Sequence, residues 1–498
     1  MQLGFVIDHR KCIGCHACTV ACKAENEVPV GNFRTWVKYV EKGTFPEVRR
    51  HFTVLRCNHC DRAPCVEICP VNALHKRPDA IVDLNRDVCI GCRACMQACP
   101  YDALYFHDDH GVAEKCHYCA HRTEVGLEPA CVIVCPAEAI ISGDVSDPNS
   151  KIAQLVQHEA VQQRRLDKGT QPRVWYIDAL PESLVPGAQT ESSSWLWAER
   201  ATPPLAPAPG LEPDPAVRTT LDVAHPPQWG WHVWTYLVTK NLAAGVALVA
   251  PFLGWLGVRA GGVKGFAPEI VALVFVVITS ILLVHDLGRP ERFWRLLLRP
   301  NTRSWLVRGA WVLMAFGGVA TAALVLRAFG LAAAADVARV VNLPGAALVS
   351  GYSAWLFAQC RGRDLWLEPG LFGRLVLRAL TLGMGVVLVL PVVQAGTVAG
   401  WIFAALVLAN AAVLHHELHH RALSRDAERA QVVLRSSLGT WPLPAVLVAA
   451  AVFGALHALA PSPQLALGAG AAALAVLVGA MLVFERAWIR AGQAVPLS

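Results

Sequence analysis

A chain of 498 residues, 54% hydrophobic and only 16% charged, with a mean hydropathy of +0.39, is too apolar for an ordinary soluble protein. Its charge divides into unlike halves, with 23 basic against 28 acidic residues up to Trp229 and a basic surplus beyond, and sixteen of the 17 cysteines lie between Cys12 and Cys135. Disorder, collagen, a coiled coil and a small disulfide-stapled secreted domain are excluded, and the net +6, a sum over dissimilar halves, points to no nucleic-acid partner.

The opening segment Met1 to Cys12 has no basic stretch followed by an apolar one, so export by a signal of its own is not expected. That weighs against disulfides and for metal. Residues 1–178 read as a cysteine-rich α+β domain in which Ile81–Leu84 and Ala103–Phe106 are short strands between cysteine loops.

The sixteen cysteines fall into four groups of four: Cys12, Cys15, Cys18 and Cys22; Cys57, Cys60, Cys65 and Cys69; Cys89, Cys92, Cys95 and Cys99; and Cys116, Cys119, Cys131 and Cys135. The last three groups end in Cys-Pro. Three thiolates in one tight loop can hold three corners of an iron-sulfur cubane, while the fourth, expected to start a helix before the proline, points away to a different cluster. Zinc would need four ligands converging on one ion, which this three-plus-one pattern serves badly. Cys12-Ile-Gly-Cys-His-Ala-Cys-Thr-Val-Ala-Cys22 recurs almost intact as Cys89-Ile-Gly-Cys-Arg-Ala-Cys-Met-Gln-Ala-Cys99, so a two-cluster unit was duplicated.

Residues 179–229 are rich in Pro, Ala, Ser and Glu and read as an extended linker. Beyond Trp229 an all-α polytopic membrane domain over 230–490 is predicted, with about eight spans at 232–257, 267–286, 305–327, 336–359, 373–394, 397–416, 442–459 and 464–486. An even number of crossings places both ends on one side, where sixteen arginines stand against Arg259, Lys264, Arg327 and Arg339 opposite. The positive-inside rule then turns the cysteine domain to the cytoplasmic face of a prokaryotic plasma membrane. The competing explanation is that some of these arginines dock the acidic cysteine domain or bind a ligand.

The cysteine array resembles the four-cluster ferredoxin-like electron-transfer subunit of the molybdopterin oxidoreductases of the dimethyl sulfoxide reductase, polysulfide reductase and formate dehydrogenase kind, over residues 1 to roughly 178. The resemblance implies four [4Fe-4S] clusters. Their ligands would be Cys12, Cys15, Cys18 and Cys135; Cys22, Cys116, Cys119 and Cys131; Cys57, Cys60, Cys65 and Cys99; and Cys69, Cys89, Cys92 and Cys95. It also implies that the last of these lies nearest the membrane and the first nearest a catalytic subunit. The segments His285-Asp-Leu-Gly-Arg-Pro-Glu-Arg-Phe293 and Ser304-Trp-Leu-Val-Arg-Gly-Ala-Trp311 resemble the NrfD-like quinone-reactive anchor of polysulfide reductase and its relatives. Both subunits would then be fused in one chain.

A quinone, menaquinone or ubiquinone, needs a slot near the last cluster, hydrogen-bonding partners and a proton route. His232, Lys240 and Asn241 early in the first span, and His285, Asp286 and Arg289 closing the second, are the candidates; the alternative for Arg289 is a headgroup anchor paired with Asp286. His416-Glu-Leu-His-His420 fits a zinc-protease pattern by accident at a helix exit. A b-type haem is the better rival for His232, His285, His415, His416 or His457, although the resembled anchors carry none. Few ionisable residues fall in mid-membrane stretches, which argues against a dedicated proton pump.

The expected function is an electron-transfer and membrane-anchor subunit linking a separate, molybdopterin-dependent catalytic subunit to the quinone pool. No catalytic residue of substrate chemistry is assigned to this chain, which has no nucleotide-binding Gly-rich loop and no stretch large enough to hold a molybdopterin. The alternatives are the same module beside a multihaem cytochrome, and an assembly or structural membrane protein whose clusters only stabilise its fold.

Overall fold

Three times the chain writes Cys-Pro-x-x-Ala followed by Leu or Ile, at Cys69–Leu74, Cys99–Leu104 and Cys135–Ile140, and three times the backbone responds alike. Proline has no N–H and steers the preceding residue away from helical angles, so Cys69 and Cys99 close the short helices Pro64–Ile68 and Ala94–Ala98 in extended conformation. The fourth cysteine therefore ends a helix and does not start one. Asn72, Asp102 and Glu138 then turn left-handed, with φ of 53°, 53° and 47°, and strands Leu74–Lys76, Leu104–His107 and Ile140–Asp144 follow. Asn and Asp are residue types that tolerate that turn.

In this computed structural model, residues 1–191, 214–252, 265–390, 398–439 and 443–498 are described. The N-terminal half mixes short helices with four small sheets. Buried strand Leu3–Asp8 runs parallel to Val174–Ile177 and antiparallel to Ile140–Asp144. Two hairpins, Leu74–Lys76 with Val82–Leu84 and Leu104–His107 with Val112–Lys115, contain the two expected strands. A longer hairpin, Thr35–Thr44 with Glu47–Arg56, is widened by strand Asp214–Leu221, which carries Gln189–Glu191 on its far edge. Part of the stretch read as a linker is thus sheet, because Val217 and Thr219 offer alternate side chains to a buried face. The proline-dense run 203–213 lies outside the described residues, as do Arg259 and Lys264.

The C-terminal half is helical. Among the described residues seven helices are long and apolar enough to cross a membrane, or eight if Arg425–Gly439 and Leu443–Leu459 together make one span. The first, Trp231–Val249, is buried along most of its length and packs against Ala267–His285, Leu343–Ala358, Leu371–Val389 and Pro463–Ala494. The span expected at 336–359 is broken into Ala332–Val341 and Leu343–Ala358. Asn342 caps the break and Pro344 sits in the first turn of the second piece, where a missing N–H costs nothing.

The two halves meet along a polar seam. Gly288 N–H donates to Gly91 O at 3.2 Å and Arg289 N–H to Ile90 O at 3.1 Å. Asn301 Nδ2 donates to Cys69 O at 2.8 Å and Ser304 Oγ to Ile68 O at 2.7 Å. Several of the arginines that suggest either topology or docking take part in this seam. Arg289 donates to His110 O, Arg292 to Arg86 O and Cys89 O, Arg295 to Asp87 O and Arg429 to Pro186 O and Gly187 O.

Gly91, Gly111 and Gly288 stack at the centre of the seam, where a Cβ on Gly288 would run into Gly111 O and the Phe106 ring. Gly288→Val is expected to destabilise the seam by about 1–3 kcal/mol, the usual cost of overpacking. Limited proteolysis of membranes should then release the N-terminal half faster than from the unaltered protein; equal resistance would show that the seam tolerates the added volume.

Candidate functional site

Thiols from different cysteine groups come close to one another across the chain. Cys12 lies in the field of Cys15 and Cys135, and Cys22 in that of Cys116, Cys119 and Cys131. Cys65 lies in the field of Cys99, Cys57 and Cys60, and Cys95 in that of Cys92, Cys89, Cys69 and Cys65. Burial pushes these thiols up, Cys18 to about 11 and Cys99 to about 12, so as bare groups they resist losing their protons. Bound iron reverses that preference, since a coordinating thiol is held deprotonated by the metal charge. Backbone N–H groups point at sulfur, from Gly91 to Cys89 at 3.4 Å, Tyr118 to Cys116 at 3.4 Å and Ala139 to Cys135 at 3.2 Å. Donor set, burial and N–H···S geometry fit iron-sulfur clusters.

Arg56 adds an independent sign. It is fully buried, its Nη1 lies 3.3 Å from Cys131 Sγ, Nη2 donates to Thr35 Oγ1, and Nε has no partner among the described residues. Among the described residues the charged partners of this cation are the thiols of Cys131, Cys116 and Cys18, with no carboxylate among them. An unpaired buried guanidinium is costly, whereas beside an anionic cluster it is compensated. The sequence gives no hint of this residue, because a lone Arg closing an alternating strand carries no local signal.

The outermost group is accessible. Cys15 is exposed, and Ile13, Val20, Ile133 and Val134 around the Cys12–Cys15 loop and its Cys135 neighbour leave apolar side chains in solvent. At the opposite end, Cys92 faces the membrane helices. Trp229 Nε1 donates to Cys92 O at 3.4 Å and Arg93 Nη1 to Asp286 O at 3.1 Å.

Beneath Cys92 lies an apolar cavity of about 230 Å³ whose wall includes Trp229, Tyr236, Ser280, Asp286 and Tyr352. Of the six residues proposed for a quinone, Asp286 lines it, and His232 and His285 join Asp286 at its edge. His232 Nδ1 is 3.2 Å from Asp286 Oδ1, and His232 Nε2 is 2.8 Å from His285 Nδ1. With Nδ1 donating to the carboxylate, Nε2 accepts from His285. This direct contact leaves no room for a haem iron between the two rings. Arg289 belongs to the seam and does not line the cavity.

Lys240 and Asn241 lie behind the wall. Lys240 Nζ donates to Ser350 O at 2.6 Å and Ser353 Oγ at 2.7 Å, and Asn241 Oδ1 accepts from Ser350 Oγ at 2.9 Å. Tyr236 and Tyr352 are additions that sequence reasoning missed. The first could have been found, since His232, Tyr236 and Lys240 recur every four residues and share a helix face; the second comes from a distant helix. Glu417, in the zinc-like motif, accepts from Arg378 at 2.9 Å and is buried, so it is committed to an ion pair and not to a metal.

A buried thiol array in ferredoxin-like loops, docked on a polytopic helical domain beside an apolar cavity, defines a membrane-bound iron-sulfur electron carrier. Known proteins agree. The 4Fe-4S dicluster domain families match residues 11–73 and 48–145, and the family Polysulphide reductase, NrfD matches residues 222–413. A tetrathionate reductase subunit of Salmonella typhimurium is 43% identical over 202 residues, covering 40% of this chain and 80% of the relative. A putative dimethyl sulfoxide reductase iron-sulfur subunit of Halobacterium salinarum is 40% identical over 207 residues, covering 35% and 78%. Protein NrfC of Escherichia coli is 39% identical over 180 residues, covering 36% and 81%. The chain belongs to this family of iron-sulfur subunits and continues into an NrfD-type membrane domain. It is an electron-transfer and membrane-anchor subunit.

Proposed function

We propose that the sixteen cysteines hold four [4Fe-4S] clusters in the quartets that the resemblance implies, and that the cavity under Cys92 takes a quinone. The carrying observation is the apposition of that cavity to the Cys89–Cys95 loop, with Trp229 bonded to Cys92 O and lining the cavity. The clusters supply one-electron transfer when bound. The protein's part is ligation, exclusion of water and placement. Asp286 and Tyr236 offer hydrogen bonds to a quinone oxygen, and His232, hydrogen-bonded in turn to His285, holds the Asp286 carboxylate at the cavity edge.

On this proposal residues 1–178 carry the clusters, 179–229 join the halves and 230–490 form the anchor. The apolar rim around Cys15 is the landing face for a separate, molybdopterin-dependent catalytic subunit, as the names of the reductase relatives suggest. The membrane is a prokaryotic plasma membrane with the iron-sulfur domain on the cytoplasmic side. Arginines outside the seam support that orientation, since Arg299, Arg303, Arg361, Arg421, Arg425, Arg486 and Arg490 are exposed there whereas Arg327 and Arg339 opposite are paired with Asp336 and Glu269.

Anaerobic EPR of membranes containing the chain, titrated with a quinol analogue and a quinone-site inhibitor, tests the central claim. Several interacting [4Fe-4S] signals, one of them shifted by the inhibitor, are expected. Clusters indifferent to both reagents would instead favour an anchor or assembly role.

A further inference from the structure

We propose that a row of buried polar side chains in the membrane half carries protons between the cavity and the surface on the iron-sulfur side. The inference rests on the cavity being a quinone site. Reducing a quinone to its quinol forms two O–H bonds and takes up two electrons and two protons; oxidation returns them. The electrons come through the clusters, so the protons must travel through the protein.

The row begins at the cavity wall. The hydroxyls of Tyr236 and Tyr352 lie beside Ser353 Oγ, which accepts from Lys240 Nζ. Lys240 has no solvent exposure, and the charged group whose field reaches it is Glu485, on the packed last helix Pro463–Ala494. Glu485 Oε1 accepts from Arg378 at 3.0 Å, while its Oε2 is buried with no partner among the described residues. Arg378 also donates to Glu417 at 2.9 Å. Arg374 bridges Glu417 at 3.4 Å and Glu368 at 3.1 Å. The row ends at His420, whose Nε2 is 3.3 Å from Glu368 Oε1 and whose side chain is 22% exposed, against 3% for the glutamate.

Two features favour conduction over simple stapling. A staple needs each carboxylate satisfied, yet Glu485 Oε2 is buried with no hydrogen-bond partner among the described residues, which leaves an acceptor for a proton or a bridging water. The row is also directional, running from a pocket to the surface with Lys240, Glu485, Glu417, Glu368 and His420 as carriers held in place by two arginines that stay charged. Buried ionisable groups in a membrane are costly and default to function or pairing. In sequence these residues are few, as the spans suggest, but the fold collects them.

The test uses the full chain in membranes with Glu485→Gln, which keeps the acceptor for Arg378, and His420→Ala at the mouth. Cluster EPR and its shift with a quinone-site inhibitor should stay as in the unaltered protein. In Glu485→Gln, quinone turnover should fall at least about tenfold with a larger solvent deuterium isotope effect, and a protonated-carboxyl infrared band that appears on reduction of the unaltered protein should vanish. In His420→Ala the slower turnover should be restored by imidazole in the medium. Unchanged rate, isotope effect and infrared band overturn the route. Should Glu485→Gln fail to assemble, His420→Ala decides, and no deficit there sinks the proposal. Loss of the inhibitor shift in the unaltered protein would instead fell the quinone site itself, and the route with it.

Discussion

Cys95→Ser is expected to stop quinone-linked turnover almost completely while the catalytic partner keeps its activity with an artificial dye. Cys95 is buried among Cys69, Cys89 and Cys92, in the group whose loop forms the seam with the membrane half. Serine keeps the volume but offers a hydroxyl, which does not share the thiolate's suitability for iron. On the proposed assignment the other three quartets keep all their ligands, so electrons should still reach the third cluster and stop there. Cys69→Ser should behave alike, because the proposal puts Cys69 in the same quartet and its carbonyl accepts from Asn301. Cys15→Ser, at the exposed end, should instead weaken electron entry from the partner. Membranes assayed with dye and with quinol separate these outcomes, and quinol turnover retained in Cys95→Ser or Cys69→Ser would overturn the membrane-proximal assignment.

The second large effect is expected at Arg56. Arg56→Met should lower the potential of the cluster held by Cys131. A unit charge about 5 Å away at an effective dielectric constant of about 20 is worth roughly 3 kcal/mol, which for one electron is on the order of 100 mV. The sign follows from charge: the reduced cluster carries one more negative charge, so removing a neighbouring cation disfavours reduction. Arg56→Lys, which keeps the charge but loses the bond from Nη2 to Thr35, should recover most of the shift. A redox titration followed by EPR reads both. An unchanged potential in Arg56→Met would mean that the guanidinium serves packing, for instance its stacking at 4.3 Å over Phe5.

The chemistry of the N-terminal half is legible in the sequence because it is local. Spacing of two or three residues puts thiols into one loop whatever the rest of the chain does, and the Cys-Pro pairs terminate helices through proline's own geometry. Even so, the three-plus-one arrangement does not say which loop lends its fourth cysteine. That comes from family resemblance, and the fold brings Cys135 to Cys12 and Cys99 to Cys57 across the chain. The linker departs from expectation for the same reason. Strand Asp214–Leu221 finds its partner at Thr35–Thr44, and no pattern inside 179–229 announces a partner so far away.

In the membrane half, hydropathy alone locates the spans, since burying some twenty residues of backbone in lipid demands helix. It does not locate the site. His232, His285 and Asp286 meet because two helix ends abut, and Arg289, with a similar sequence context, turns to the seam. Tyr352 reaches the cavity from a helix more than a hundred residues after Tyr236, and Arg378, Glu417 and Glu485 meet one another from three further helices. Composition and spacing therefore determined the cofactor chemistry and the membrane setting, which depend on residues close along the chain. Only the packing of distant helices decided where the cavity lies, which arginines dock and how buried charges line up, because those depend on which faces meet in space.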